Sequence, residues 1–354
     1  MKLDGLASPE VIHLEAASAA LVSQATLDAQ VAHLRREAAV GPSVAAAEVA
    51  DVVAGLRDGL GALLGLRGDQ VALIENATRG MASVLDAFPF RPGARVGVLR
   101  SEYGSTRMNL EAAAARGELV VVEVDTVDQA GDCDLMVASP VPSHRGVLQS
   151  VQSDVPVVLD VAQAAGHVAV HGLRAVAWVG TSRKWLRGPR GVGLVAVSDE
   201  WADRLAPRFP DLDSASWETG FAPGAARFAK YEATYAGQVG LANAVAELHA
   251  AGVEYVTGEI SALGRRARAR IAEVAEVHEP LDSPTGIVTF TVPGREPADV
   301  RRELRAAGVV VSLIPSSRAP RDMEGPLLRA SFHTYNDDSD VEALVAALAQ
   351  TNAV

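Results

Sequence analysis

The chemistry-bearing residues of the sequence centre on one acid and one lysine. Asp160 closes the apolar run Val157-Val158-Leu159, and Lys184 follows the next apolar run, 24 residues further on. Strands of this kind deliver their trailing residues to one sheet edge, where ligands of open α/β sheets collect. A lysine amine there can condense with a carbonyl, and a carboxylate can keep a ring nitrogen protonated. Arginine cannot replace such a lysine, because its guanidinium keeps its charge. The chain has only three lysines, Lys2, Lys184 and Lys230, and arginine supplies 29 of its 32 basic residues. A retained lysine therefore calls for a reason. Spacing alone leaves a second reading open, in which Asp160 caps a helix and Lys184 sits on a surface loop.

Further residues fall on the same edge. Glu75-Asn76-Ala77-Thr78-Arg79-Gly80 stands where a strand turns into a helix, whose free amides suit a phosphate, and Thr78 adds a hydroxyl. Ser101-Glu102-Tyr103-Gly104 follows the next strand, where Tyr103 can stack on an aromatic ring. Ser143-His144-Arg145-Gly146 follows the run Leu135–Ala138. A phosphate cup, a stacking ring, an acid and a lysine together fit pyridoxal 5′-phosphate (PLP). Its lysine forms a Schiff base, and its acid holds the pyridine nitrogen protonated so that the ring accepts electrons.

The elements that must position these residues alternate. Strand-like runs occupy Val71–Ile74, Arg95–Leu99, Leu119–Val124, Leu135–Ala138, Val155–Asp160, Ala175–Gly180 and Val192–Val197, with helical stretches such as Thr78–Phe88, Ser105–Arg116 and Val161–Gly166 between them. Several runs lack polar alternation, as in strands buried on both faces. The pattern predicts a mainly parallel sheet covered by helices. Residues 206–227, broken by Pro207, Pro210 and Pro223, read as an ordered excursion or lid. A helix is expected over Tyr235–Ala251, then a basic one over Ile260–Val274 whose Arg265, Arg266, Arg268 and Arg270 form a solvated face. The remainder reads as an α+β module.

Composition narrows the function classes. The net charge of −12 leaves no basic surplus for a nucleic-acid partner. The single cysteine, Cys133, permits no internal disulfide and no zinc site built on paired cysteines. The histidines show no metal-ligand spacing. The first residues carry charges where a signal peptide has its apolar core, and no apolar run is long enough to span a bilayer, so a cytoplasmic protein without membrane partners is expected.

With these residues the chain resembles the class V aminotransferases of PLP fold type I. That family includes cysteine desulfurases, isopenicillin-N-epimerase-like proteins and carbon–sulfur lyases. The resemblance runs from His13-Leu14-Glu15-Ala16-Ala17 to the terminal helix. Its most specific parts are Asp160-x-Ala162-Gln163 and Ser182-Arg183-Lys184-Trp185 with Gly188-Pro189-Arg190-Gly191. It implies an α/β large domain with a mainly parallel seven-stranded sheet over 15–240, and a smaller α+β domain from 1–14 and 241–354. It also implies a homodimer with shared active sites and a small amino-acid substrate.

By the same resemblance Lys184 is the Schiff-base lysine, Asp160 pairs with the pyridine nitrogen, and Gln163 and Ser143 lie near the phenolic oxygen. Tyr103 stacks on the ring, and Ala77, Thr78, Thr181 and Arg183 hold the phosphate. Thr234, in the segment 227–235 with Lys230, reaches a partner's cofactor. Arg329 in Leu328-Arg329-Ala330-Ser331 grips the substrate carboxylate, for which a bidentate guanidinium is suited. His333 and His144 stand as substrate contacts; for His144 and Arg145 a plain turn packed on Gly146 is the other reading.

The resemblance also bears on the reaction. Cysteine desulfurases need a mobile cysteine ahead of the carboxylate-binding arginine, and the stretch Ser312–Arg318 has none. Residues 35–41, 102–104, 143–147 and 182–193 are most similar to the lyase group of ergothioneine biosynthesis. This implies β-elimination at a C–S bond of a cysteine-conjugate sulfoxide such as hercynylcysteine sulfoxide. Pro42-Ser43 and the short segment 124–134 depart from that group and are expected to reshape the substrate pocket. An epimerase or aminotransferase is the alternative, and a non-catalytic regulator ranks last.

Overall fold

The computed structural model describes residues 9–351, so Lys2 and the rest of 1–8, with 352–354, lie outside the described residues. The central sheet has seven strands: Val71–Ile74, Ala94–Leu99, Leu119–Val124, Leu135–Ala138, Val157–Asp160, Ala177–Thr181 and Gly193–Val197. Across the sheet they run 71–74, 193–197, 177–181, 157–160, 135–138, 94–99, 119–124. Gly193–Val197 is antiparallel to both neighbours, and the other pairings are parallel. Six carboxyl ends and the amino end of 193–197 therefore share one edge.

The solid apolar runs are explained by burial on both faces. Met136, Ala138, Val157, Leu159, Trp178, Leu194 and Ala196 pack into one core layer. Their alternating neighbours Leu135, Val137, Val158, Ala177, Val179, Val195 and Val197 pack into the other. Successive strand side chains point to opposite faces, so neither face tolerates polar residues. The helix Ala77–Ala87 covers one face, capped by Asn76, whose side chain accepts from the Arg79 amide at 3.0 Å. The helix Tyr235–Ala251 packs against Gln24–Val40 and Ala50–Leu64 on the other side without a break at 240. A third core belongs to the four-stranded antiparallel sheet Glu276–Val277, Ile287–Thr291, Leu327–Ser331, Ser312–Ile314 and the helices Val253–Ile271, Pro297–Ala306 and Asp338–Thr351. Leu14 joins this core, beside the pairing of Ile12–His13 with Val309–Val310.

Three expectations are corrected. Val161–Gly166 is a run of tight turns, not a helix. Asp160 Oδ1 accepts from the Ala162 amide at 2.8 Å, the Val161 and Ala164 carbonyls accept the next amides, and Gly166 at φ 79° turns the chain away. Arg268 is not on a solvated face. It is fully buried and donates to the carbonyls of Ser283, Thr285 and Ile287. Residues 206–227 form an ordered excursion with a small hairpin, but no lid over this chain's own lysine. The Ala206 amide donates to Ala87 O, and Arg208 pairs with Glu118. Both anchors lie at the sheet edge opposite Asp160.

Candidate active site

One cavity of about 340 Å³ opens at the edge where the strands deliver Asp160 and Lys184. Ala77, Thr78, Tyr103, Ser143, Asp160, Gln163, Thr181, Arg183 and Lys184 all line it. The segment carrying the lysine is fixed from both sides. The Ser182 amide donates to Val192 O at 3.0 Å, its hydroxyl donates to Pro189 O, and the Gly188 amide returns to Ser182 O at 3.0 Å. Arg187 takes a left-handed conformation, φ 54°, which lets the chain reverse, and its Nε donates to Leu21 O at 3.0 Å. Gly193 permits the close packing here, since a Cβ would lie 2.6 Å from Gly180 O and 2.8 Å from Asn76 Cα.

The electrostatics suit a reactive amine. Burial lowers the Lys184 pKa to about 7, opposed by Asp160 and reinforced by Arg183, Arg329 and Arg318. A large share of the amine is then uncharged near neutrality, as condensation with a carbonyl requires. Burial pushes the Asp160 carboxyl up, while Lys184 and the Ala162 amide pull it down. Glu102 is fully buried nearby; burial and the Asp160 charge raise it to about 7. Its Oε1 accepts from the Tyr103 amide at 2.9 Å and Ser139 Oγ at 2.7 Å, and its Oε2 has no partner. Asp160 is thus the acid that keeps its charge, with Glu102 beside it carrying the proton.

The cavity also has the parts that PLP needs. The amino end of Ala77–Ala87 points its free amides at the wall formed by Thr78, Thr181 and Arg183, a cup for a dianion. Tyr103 supplies a ring, and buried Ser143 Oγ lacks any partner, a free hydroxyl for a cofactor oxygen. The residues present fit the group.

Other expected residues take different places. Gln163 lines the cavity, but its amide is engaged: Nε2 donates to Ala17 O at 2.9 Å, and Oε1 accepts from Trp185 Nε1 at 2.8 Å. Arg329 is fully buried behind Ser143, donating to Ser143 O and to Ser18 Oγ at 2.8 Å. Burial and the nearby cations Arg318 and Arg183 lower it to about 9. His144 and Arg145 do not line the cavity. Both bind Asp322, at 2.6 and 2.7 Å. His333 does not line it either. Its ring stacks with Trp185 and Tyr335, its nitrogens meet Thr334 and Trp185 O, and burial lowers its pKa to about 3. Thr234 caps the helix Tyr235–Ala251, accepting from the Gly237 amide at 3.1 Å, and lies outside its own chain's cavity. Pro42 and Ser43 line a separate groove with Thr234, and residues 124–134 lie off the cavity.

Sequence reasoning assigned no role to Glu102 or Arg318. Glu102 had a signal, since it directly precedes Tyr103 in a loop already placed at the sheet edge. Arg318 lay in a stretch read for its missing cysteine, yet it lines the cavity with its guanidinium carbon 5.4 Å from the Tyr103 ring centre.

A seven-stranded mainly parallel sheet with a buried lysine and acid at its ligand edge defines a PLP enzyme of fold type I. The chain belongs to the class V aminotransferase family, whose model matches residues 12–344. It is 34% identical to a probable hercynylcysteine sulfoxide lyase of Mycobacterium tuberculosis (strain CDC 1551 / Oshkosh), an alignment covering 96% of this chain and 91% of that one. In structure it is similar to the apo cysteine desulfurase of Thermococcus onnurineus NA1, with a TM-score of 0.86, 20% identity, and coverage of 97% and 94%. It is equally similar to a C-DES mutant with glycine covalently linked to its PLP cofactor, TM-score 0.86, 20% identity and 96% coverage of both chains. The expected fold, cofactor and enzymatic character are those of this family. Among the described residues no helix is long and apolar enough to cross a membrane.

Proposed function

We propose that this chain is a PLP-dependent lyase that breaks the C–S bond of a cysteine-conjugate sulfoxide, hercynylcysteine sulfoxide being the first candidate, by β-elimination. The observation that carries the reading is Lys184 and Asp160 in one cavity whose walls contain no thiol. Cys133 is buried just ahead of the strand Leu135–Ala138, at the far edge, with its thiol pushed up by burial. The 34% identity to the mycobacterial lyase over nearly the full chain supports the substrate class.

When bound, PLP supplies an electron sink for charge left at the substrate's Cα. Ala77, Thr78, Thr181 and Arg183 would hold its phosphate, Tyr103 its ring face, and Ser143 its phenolic oxygen. Asp160, whose charge Glu102 leaves undivided, holds the proton on the ring nitrogen. Arg329 sits behind Ser143, placed to grip the substrate carboxylate. Lys184, once released by the incoming substrate amine, is the base that takes the proton from Cα, and a lowered pKa suits that task near neutral pH. The sulfur group then leaves from Cβ, and the amino-acid half ends as pyruvate and ammonia.

The same reading includes a cytoplasmic homodimer divided as 15–240 against 1–14 plus 241–354. Leu14 in the third core supports the second grouping. A groove of about 780 Å³ lined by Leu34, Pro42, Ser43, Tyr231 and Thr234 supports a second copy on that face, with Thr234 of one subunit near the cofactor of the other. The test is product analysis of the holoenzyme in heavy water with hercynylcysteine sulfoxide and simpler cysteine conjugates. Pyruvate with a released sulfur product is expected. Deuterium entering Cα without pyruvate would move the function to epimerisation or transamination.

A further inference from the structure

Arg318 is the cavity cation without an assigned task. It lies over the Tyr103 ring, 5.4 Å from its centre, and forms no ion pair among the described residues. Its segment is fixed, not free. Ser316–Arg318 is a single 3₁₀ turn closed by the Arg318 amide on Pro315 O at 2.9 Å. Gly104 lies so close that a Cβ there would stand 2.2 Å from Ser317 O. Four residues on, Asp322 is held by His144 at 2.6 Å and Arg145 at 2.7 Å, and Arg321 reaches Glu123 at 3.6 Å. A flexible arginine held this way keeps its head group over one place. Tyr103 lies under it, the phosphate cup lies with Thr78, Thr181 and Arg183, and Arg329 is buried behind Ser143. What remains within its reach is the space beyond the cofactor ring, where a substrate side chain must lie.

We propose that Arg318 is a specificity-determining residue that receives a negatively polarised oxygen on the substrate's side chain, such as an S-oxide or an anionic group. This rests on the lyase reading for its substrate class and adds the group that reads the oxygen. A guanidinium hydrogen bond to such an oxygen is charge-assisted, and its loss lowers affinity about tenfold or more. It also gives His144 and Arg145 a positioning role: through Asp322 they anchor the segment that carries Arg318.

The test uses two amino acids that differ by one oxygen and carry sulfur on Cγ, so neither has a leaving group on Cβ: L-methionine sulfoxide and L-methionine. Their equilibrium affinities for the holoenzyme are read from the change in cofactor absorption. The wild type should bind the sulfoxide about tenfold more tightly. Arg318→Gln should abolish that preference while leaving L-methionine affinity and cofactor content unchanged, and Arg318→Lys should keep part of it. A wild type without preference, a preference surviving in Arg318→Gln, equal losses for both ligands, or loss of cofactor would each overturn the proposal. Failure of the lyase reading would show separately, as a wild type that binds both amino acids yet releases no pyruvate from any cysteine conjugate.

Discussion

The indole N–H of Trp185 donates to Gln163 Oε1 at 2.8 Å, so the residue after the reactive lysine is tied to the turn that Asp160 begins. Trp185 is fully buried and lies flat on His167, ring centres 3.5 Å apart. Gln163 in turn fastens the amino-terminal segment through Ala17 O. Trp185→Phe keeps the stack but leaves Gln163 Oε1 buried without its donor, at a cost of about 1–3 kcal/mol. The expected outcome is a lower urea midpoint together with faster loss of PLP on dialysis. Wild-type cofactor retention at reduced stability would show that this bond supports the fold without positioning Lys184.

The lowered lysine predicts how the apoprotein takes up its cofactor. Condensation needs the uncharged amine, and that fraction grows as pH rises toward the Lys184 pKa of about 7. The rate of PLP incorporation should rise about tenfold per pH unit below 7 and level off above it. Rapid-mixing absorbance measures this directly. A rise continuing past pH 9, as for a lysine at its ordinary 10.5, would show that burial does not set the amine. Lys184→Ala should leave no cofactor that borohydride can fix to the chain.

How much of this was legible in the sequence depends on which force placed each residue. The seven strands were readable because burial on both faces forces unbroken apolar runs, and the loops after them had only one edge to reach. Asp160, Thr78, Thr181, Arg183 and Lys184 followed from that. Asp160 proved to do both things its position suggested, capping the next turn through Ala162 and facing the lysine. Long-range pairings were not legible. Nothing local in Arg268 says that it will be enclosed by carbonyls from 283–287. Nothing local in His144 says that Asp322, far along the chain, will claim it. His333 stands two residues beyond Arg329 on the same extended run, which drew attention to it, but stacking on Trp185 keeps it from the cavity.

Arg268 gives a stability prediction independent of catalysis. Its guanidinium satisfies the carbonyls of Ser283, Thr285 and Ile287 inside the protein, and these would be left without a donor in Arg268→Met. Methionine fills much of the space, so the loss is mainly of hydrogen bonds to buried acceptors, about 3–5 kcal/mol. A large drop in the urea midpoint is expected, with cofactor content per folded molecule unchanged. A midpoint within about 0.5 kcal/mol of wild type would mean that water replaces the guanidinium and that this region is less closed than its burial indicates.

Gly104 sets local helix preference against a long-range contact. It opens the helix Gly104–Ala115, where alanine is the better helix former by about 1 kcal/mol. Against this, the added methyl would stand 2.2 Å from Ser317 O, a backbone atom that cannot rotate away. Overpacking of this kind costs about 1–3 kcal/mol, so the contact outweighs the propensity, and relief comes by moving Pro315–Arg318 off Tyr103. Gly104→Ala should therefore lose stability and lose the preference for L-methionine sulfoxide over L-methionine, as Arg318→Gln does. The two affinities and a urea titration on the same preparation decide it. A more stable variant that keeps the preference would show that helix propensity governs this turn and that Arg318 is held by Asp322 alone.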